Sequence, residues 1–181
     1  MASYQELFEI GESFEAFVAR SLEAERSEAA TLARKLSMAL SCPIVERLEA
    51  VRGRYHLLVA GEMWCPDCRI NVTALNAMHR LQPRIDMSII SRGRAEDELM
   101  QRLGLDRISI PLVLILDEHY TLLGLFVEQP QMMGGAEAGV KQDYREGKFM
   151  ENTLDEVLAI IERVEKAGSA PLGTAAPCAA V

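Results

Sequence analysis

The spacing of apolar residues in the middle of the chain predicts alternating strands and helices. Residues 55–60 contain the run Leu57-Leu58-Val59-Ala60, which is typical of a short buried strand. After it, apolar residues recur every three or four positions, the spacing of one buried helix face: Cys68, Val72, Leu75, Met78 and Leu81. Pro83 ends this helix, and residues 85–90 form a second strand. The crossover rule predicts that the two strands are parallel.

The second half of the chain predicts a helix, a hairpin and a final helix. Residues 95–103 form a short amphipathic helix that Gly104 ends. Two apolar runs at 112–116 and 122–127 are joined by a short polar turn, which indicates an antiparallel hairpin. Thr153 has the capping-box spacing to Glu156 and predicts the start of the last helix, whose buried stripe is Leu154, Val157, Leu158, Ile161 and Val164. The predicted order is β-α-β-α-β-β-α.

The first part of the chain predicts helices only. Residues 4–40 are rich in Ala, Glu, Arg and Leu and show no strand-like alternation; one predicted helix face carries Phe14, Phe17, Val18 and Leu22. Pro43 predicts the start of another short helix, so the preceding Cys42 is expected to be a half-buried loop or cap thiol. About fifty residues can hardly bury a core of their own, so we expect these helices to pack on the rest of the chain or on a second subunit.

Two segments lie outside this pattern. Residues 129–149 are longer than a typical connection of about 4–6 residues, and they predict a short helix around residues 140–145. The end of the chain is rich in Ala, Gly, Pro and Ser, contains Cys178, and is expected to be flexible. We therefore divide the chain into a helical extension (1–52), a core domain (53–167) and a tail (168–181).

Composition and charge narrow the possible partners and location. The net charge is −8 and no basic cluster is present, which argues against nucleic acid and anionic membranes as partners. The longest apolar run, residues 110–116, is far shorter than the about 20 residues that cross a bilayer. The N-terminus lacks the features of a secretory signal, so we expect a cytoplasmic, reducing environment. There, paired cysteines are more often catalytic or metal-binding than structural.

The candidate chemistry lies at the junction of the first predicted strand and the helix that follows it. Cys65 and Cys68 flank Pro66 and Asp67 at the start of that helix. The helix N-terminus stabilises an anion, so a thiolate on Cys65 is the expected nucleophile. We expect Cys65 to be accessible to solvent. Cys68, one turn further along, is expected to be buried and close enough to form a disulfide with Cys65.

Two motifs carry a family resemblance. Trp64-Cys65-Pro66-Asp67-Cys68 resembles the W-C-x-x-C active site of the thioredoxin superfamily, and Ser109-Ile110-Pro111 resembles its cis-proline segment. The resemblance covers roughly residues 51–167. It implies an α/β thioredoxin fold, with a central mixed four-stranded sheet flanked by helices. The helical N-terminal extension and the W-C-P-D-C sequence resemble a bacterial branch of this superfamily.

The resemblance implies a thiol–disulfide oxidoreductase in cell redox homeostasis. Cys65 would attack a substrate disulfide, Cys68 would resolve the mixed disulfide, and the backbone of Ile110 beside a cis Pro111 would pair with the substrate. We expect a cytoplasmic protein disulfide reductase that needs no cofactor. Its substrates would be protein or small-molecule disulfides, and its electron donor a reductase or a low-molecular-weight thiol. A homodimer through the N-terminal helices is a further expectation.

Three side chains near the cysteines are predicted to support the reaction. Asp67 should oppose the fall of the Cys65 pKa and so favour a reductant. Trp64 is expected to pack beside the site and shield it. Thioredoxins carry a buried acid six residues before the first cysteine, where this chain has Val59. Glu62 is either a substitute for that acid or a solvated loop carboxylate.

Two alternative functions stay open. A glutaredoxin-like, glutathione-dependent protein should have T-V-P at the cis-proline, whereas Ser109-Ile110-Pro111 matches only the proline. A non-enzymatic module would instead use the N-terminal helices to bind a partner.

A zinc site is a weaker hypothesis, because two further ligands would be needed beside Cys65 and Cys68. The other cysteines and histidines are isolated in sequence: Cys42, Cys178, His56, His79 and His119. We therefore expect no metal.

Overall fold

A four-stranded mixed sheet forms the centre of the protein in the computed structural model, which describes residues 2–168. The strands are β1 (Tyr55–Ala60), β2 (Ile85–Ile90), β3 (Leu112–Leu116) and β4 (Leu122–Val127). Their order is β2-β1-β3-β4; β1 is parallel to β2, whereas the β1–β3 and β3–β4 pairs are antiparallel. The predicted strands, their directions and the α/β fold class are confirmed.

The helices flank this sheet. The first four are α1 (Tyr4–Glu9), α2 (Phe14–Ala19), α3 (Glu23–Ala39) and α4 (Cys42–Glu49). The others are α5 (Pro66–Leu81), α6 (Arg92–Leu103), α7 (Ala138–Arg145) and α8 (Met150–Gly168), and a 3-10 turn at Gln131–Met133 precedes α7. None of the helices within residues 2–168 combines the length and apolar character needed to cross a membrane.

The two central strands position the candidate site. Every residue of β3 is buried, and so are the last four residues of β1, as expected for strands covered on both faces. Ala60, the last residue of β1, pairs with Leu112, the first residue of β3. The loop that leaves β1 towards the cysteines therefore lies beside the residues that lead into β3, including Pro111.

The N-terminal helices pack against the sheet and against α5. Helix α1 contacts β1 and β2, α2 contacts β2 and α5, and α3 runs along α5. Between α1 and α2, Glu12 forms a two-hydrogen-bond bridge with Ile89 at the edge of β2, with N···O distances of 2.8 and 2.9 Å. A Cβ on the neighbouring Gly11 would lie 2.0 Å from Ser88 Oγ, so only glycine permits this close approach.

The start of the last helix differs from the prediction. Helix α8 begins at Met150, which is buried, and Thr153 lies inside the helix rather than at its cap. The Thr153 hydroxyl is also buried and donates to Asn71 Oδ1 at 2.7 Å. Glu156 accepts a hydrogen bond from the backbone of Gln131. The capping-box spacing was therefore misleading, because each side chain has a hydrogen-bond partner outside the helix.

Other predicted positions also need correction. Leu22 and Leu81 are exposed, because Leu22 precedes α3 and Leu81 ends α5, where each helix leaves the core. Cys42 is exposed and begins α4, rather than being half-buried. Helix α6 starts at Arg92, three residues before the predicted start.

The structure tests the prediction for residues 129–149, but it tests the prediction for the tail only at residue 168. Helix α7 lies where the short helix in residues 129–149 was predicted. Helix α8 includes Gly168, which was assigned to the tail, because its backbone continues beyond the last buried apolar residue. Residues 169–181, including Cys178, lie outside the described residues, so their predicted flexibility stays a prediction.

Replacing Phe17 with alanine should destabilise the whole protein, because its ring is fully buried where α2 meets the sheet and α5. A buried Phe→Ala change typically costs about 3–5 kcal/mol. Met38→Ala, on the exposed side of α3, is the control and should change the free energy of unfolding by less than about 0.5 kcal/mol. Urea denaturation measures both, and equal small effects would mean that α2 is not part of the cooperative core.

A chain that begins at Gly53 should lose stability and associate, because removing α1–α4 uncovers the side of α5 that they bury. Size-exclusion chromatography and thermal denaturation of the full chain and the truncated chain measure this. A monomeric truncated chain with an unchanged melting temperature would show that the extension is a separate appendage.

Candidate active site

The two cysteines lie at the start of α5, where the loop that follows β1 enters the helix. Cys65 is the N-cap residue, and Pro66 is the first residue of the helix, where its missing N–H costs nothing. Cys68 lies one turn further along and is fully buried. Cys65 is only 7% exposed, so the prediction of an accessible nucleophile is wrong. The neighbouring segment around Ile110 packs close to its sulfur and reduces its exposure.

Each sulfur has its own polar contacts. Cys65 Sγ lies 3.5 Å from the carbonyl oxygen of Ile110, whereas Cys68 Sγ accepts a hydrogen bond from the backbone N–H of Glu62 at 3.4 Å. A Cβ on Gly61 would lie 3.2 Å from Cys68 Sγ, which is closer than ordinary contact. The loop backbone is thus packed directly on the second thiol, and this contact favours a residue without a side chain at position 61.

The two thiols differ in acidity. A hydrogen bond from the Cys68 thiol lowers the pKa of Cys65 to about 7, against the opposing effect of burial, and backbone N–H groups of Cys68 and Asp67 add to the lowering. Burial, followed by the interaction with Cys65, raises the pKa of Cys68 far above its ordinary value. The pair therefore contains one thiol that ionises near neutral pH and one that stays protonated.

The segment that faces the cysteines brings Ile110 and Pro111 to the site. The peptide bond between them is cis. Both residues are buried, and the carbonyl of Pro111 accepts a hydrogen bond from the backbone of Glu128 at 2.8 Å. The Ile110 carbonyl faces Cys65, so the structure brings together two motifs that lie 45 residues apart in the sequence.

Asp67 belongs to a polar cluster that the sequence analysis did not identify. Asp67 is half-buried, and the hydroxyl of Tyr144, a buried residue of α7, lowers the pKa of its carboxyl group. The same hydroxyl accepts from Asn71 Nδ2 at 2.8 Å. Burial raises the pKa of Asp67, although the Tyr144 hydroxyl opposes this shift. A polar residue at 71, on the predicted apolar face of α5, was the available signal.

Arg69 is a second residue that the sequence analysis missed. Its Nη1 donates to the carbonyl oxygens of Met63 at 2.8 Å and Trp64 at 3.1 Å. Its Nε lies 2.9 Å from Glu28 Oε2 on α3. The guanidinium thus holds the backbone of the loop before Cys65 and connects it to the N-terminal extension. No sequence signal distinguishes this arginine from a solvated one.

Trp64 is largely exposed, and its predicted role in shielding the site stays a prediction. Trp64 is 60% exposed, whereas its backbone carbonyl oxygen accepts a hydrogen bond from Arg69. Because the loop turns its backbone toward the protein here, the indole is directed to solvent next to the nucleophile.

The Glu62 carboxylate is not the solvated loop group that was one of the two alternatives, and its proton-transfer role stays a prediction. Its carboxylate accepts a hydrogen bond from the backbone N–H of Arg92, at the start of α6, at 2.9 Å, and lies 3.8 Å from Arg20. Its backbone N–H donates to Cys68 Sγ. Val59 is completely buried in β1, so the acid that thioredoxins place at this position is replaced by an apolar side chain.

The described residues hold no group of three or more His, Cys, Asp or Glu side chains arranged for a metal ion. His56 instead stacks on the ring of Tyr120, with 4.3 Å between the ring centroids. Within residues 2–168, the cysteine pair therefore lacks the further ligands that a zinc site requires.

Comparisons with known proteins agree with this geometry. A protein-family model described as thioredoxin matches residues 11–142. A crystal structure of a protein of unknown function from Pseudomonas aeruginosa has 52% sequence identity and a TM-score of 0.88, and the match covers 91% of this chain and 99% of that one. The crystal structure of an HIV epitope-scaffold is also 52% identical, with a TM-score of 0.87 over 90% of this chain and 99% of that one. No curated protein matches.

The family match covers more than half of the chain, including both cysteines and the cis-proline segment. The sheet order, the flanking helices and the placement of Cys65 opposite Pro111 are those expected for the fold. The chain therefore belongs to the thioredoxin family.

Proposed function

We propose that the protein is a thiol–disulfide oxidoreductase that works as a protein disulfide reductase through Cys65 and Cys68. The observation that carries this proposal is the contrast between the two thiols. Cys65, at a helix N-terminus, has a pKa of about 7, whereas Cys68 is fully buried and its pKa is raised. Cys65 is thus the attacking nucleophile, and Cys68 is the resolving thiol that stays protonated until the mixed disulfide has formed.

The reaction follows from this arrangement. The Cys65 thiolate attacks one sulfur of a substrate disulfide, forms a mixed disulfide, and releases the other sulfur as a thiolate that takes a proton. Cys68 then loses its proton and attacks Cys65 Sγ, which breaks the mixed disulfide and releases the second substrate thiol. The substrate disulfide is reduced to two thiols, and the cysteine pair is oxidised to a disulfide.

In the proposed reaction, the Ile110 carbonyl would pair with an extended substrate chain that lies along the site. It faces Cys65 Sγ, and the indole of Trp64 is exposed on the adjoining loop. A substrate that reaches the nearly buried Cys65 must therefore present its disulfide on an exposed, extended segment. The exposed indole beside Cys65 offers an apolar contact to a protein segment, which supports a protein substrate.

The Asp67 charge favours the reducing direction. Its carboxylate raises the pKa of Cys65 against the larger lowering effects of the Cys68 thiol and the backbone N–H groups. A less stable thiolate means a less stable reduced form, and hence a stronger reductant. We propose a cytoplasmic role in which a reductase or a low-molecular-weight thiol returns the pair to the dithiol.

Cys65→Ser should abolish disulfide reduction, whereas Cys68→Ser should accumulate mixed disulfides with the substrate, because only the latter keeps an attacking thiolate. Insulin reduction with either thioredoxin reductase or glutathione as donor, followed by non-reducing gel electrophoresis, measures both effects. Cys42→Ser, an exposed cysteine on α4, is the matched control and should have wild-type activity.

Wild-type rates in the Cys65→Ser protein would contradict the proposed mechanism. If the wild-type protein reduces insulin with glutathione but not with thioredoxin reductase, the reaction is glutaredoxin-like. If it reduces insulin with neither donor, the result favours a partner-binding module.

Alkylation of Cys65 by iodoacetamide should accelerate with pH and reach half of its maximum rate near pH 7. Its pKa is lowered to about 7, so the thiolate dominates above that pH and the unreactive thiol below it. Cys68→Ala should move the midpoint upward, because the Cys68 thiol is the largest cause of the lowering. Peptide mass spectrometry separates Cys65 from Cys42 and Cys68. A midpoint above pH 8 in the wild type would contradict the assigned environment.

A further inference from the structure

The loop between β1 and α5, residues 61–64, has two carbonyl groups that the backbone does not satisfy. Met63 and Trp64 directly precede Cys65, the N-cap residue of α5. Within residues 2–168, no backbone N–H group donates to either carbonyl oxygen. Met63 is buried, and a carbonyl group removed from water is unfavourable unless it accepts a hydrogen bond. The 61–64 loop therefore depends on a side chain for its conformation.

Arg69 is the side chain that satisfies both carbonyl groups. Its Nη1 donates to the carbonyl oxygens of Met63 at 2.8 Å and of Trp64 at 3.1 Å. Its backbone N–H donates to the carbonyl oxygen of Cys65, also at 3.1 Å. One residue of α5 thus bonds to three consecutive residues of the chain that leads into the nucleophile.

The helical extension holds the guanidinium of Arg69 in this position. Its Nε forms an ion pair with Glu28 Oε2 on α3, with 2.9 Å between the two atoms. The Arg69 side chain is only 13% exposed, so the ion pair is partly shielded from solvent between α3 and α5. Because the guanidinium is planar and rigid, a contact at Nε also fixes the direction of Nη1. Glu28 therefore helps to aim Arg69 at the 61–64 loop.

A second contact joins the extension to the start of the same loop. Arg20, the C-cap residue of α2, has its Nη1 3.8 Å from Glu62 Oε2 and its Nε 2.7 Å from Glu12 Oε1. The Glu62 carboxylate also accepts from the backbone N–H of Arg92 at 2.9 Å. The extension thus reaches the 61–64 loop at both ends, with the shorter contacts on the side of Arg69.

We propose that Arg69 is a positioning residue for the redox reaction, and that Glu28 of the helical extension holds it in place. The extension would then be part of the active site, in addition to covering α5. The inference deepens the proposed function and rests on it for its role in thiol–disulfide exchange.

Loss of the Arg69 side chain has a defined consequence for the nucleophile. The Met63 carbonyl would lose its hydrogen bond, so the loop would move until water reaches this oxygen. That movement displaces Cys65 relative to the Ile110 segment, and a small misplacement of a reacting atom slows a reaction strongly. Lysine keeps the charge but has a single donor nitrogen, which cannot replace both Nη1 and Nε. Arg69→Lys should therefore restore little of the activity.

A double-mutant cycle on the full chain tests the coupling between the extension and the loop. Arg69→Gln should lower kcat/KM for insulin by about tenfold, the lower end expected for lost hydrogen bonds from a charged group. Glu28→Gln should lower it by about two- to threefold, as for a partly exposed ion pair, and the double variant should match Arg69→Gln alone. Arg80→Gln, which changes an exposed arginine of the same helix, is the matched control and should keep the wild-type rate.

Amide hydrogen exchange tests the same contacts without a substrate. The N–H group of Cys65 donates to the carbonyl oxygen of Glu62 at 3.1 Å, so its exchange rate reports on the 61–64 loop. In Arg69→Gln, this amide should exchange about tenfold faster, whereas the amides of the buried strand β3 should keep their wild-type rates. NMR spectroscopy of the reduced protein measures both rates.

The possible outcomes separate this inference from the proposed function. An unchanged Cys65 exchange rate in Arg69→Gln would overturn the positioning role, and so would equal acceleration at Cys65 and in β3, which reports a global loss of stability. A double variant whose loss is the product of the single losses would overturn the part assigned to Glu28. An inactive wild-type protein with the predicted exchange pattern would refute the reductase function and leave the contact between Arg69 and the loop supported.

Discussion

The position of α5 is the constraint on which the rest of the structure depends. The helix is covered by the sheet on one side and by α3, α7 and α8 on others, so nearly every residue from Ile70 to Met78 is buried. A helix packed in this way cannot shift without disturbing the whole core. Its first turn, with both cysteines, is therefore fixed against the segment that precedes β3. A small domain achieves a precise active site by burying the element that carries it.

The two thiols have pKa values shifted in opposite directions, although they lie only one helical turn apart. Cys65 lies at the tip, where backbone N–H groups and the Cys68 thiol support its negative charge. Cys68 is enclosed by the loop backbone and has no exposed surface. The same geometry that keeps the second thiol protonated also brings it close to the first. The two thiols thus differ in acidity because they lie at different depths in the fold, although both belong to cysteine residues.

The sequence was sufficient for the sheet and the cysteine motif, because both depend on local patterns. The four strands have the predicted bounds, since apolar runs bounded by turns leave little choice of register. Tyr144, Asn71 and Arg69 were not predicted, because their roles depend on contacts between residues far apart in the sequence. Thr153 does not cap α8 for the same reason: its capping pattern is local, whereas its hydrogen-bond partner Asn71 lies on another helix.

The bridge between Glu12 and Ile89 has a consequence for the protein at high concentration. The outer edge of β2 would otherwise present unpaired N–H and C=O groups, which can pair with a strand of another molecule. At Ile89, both groups are already bonded to Glu12, and the connection between α1 and α2 lies across this part of the edge. A short stretch of the helical extension thus acts as protection against edge-to-edge aggregation, at a place that one added methyl group on Gly11 would disturb.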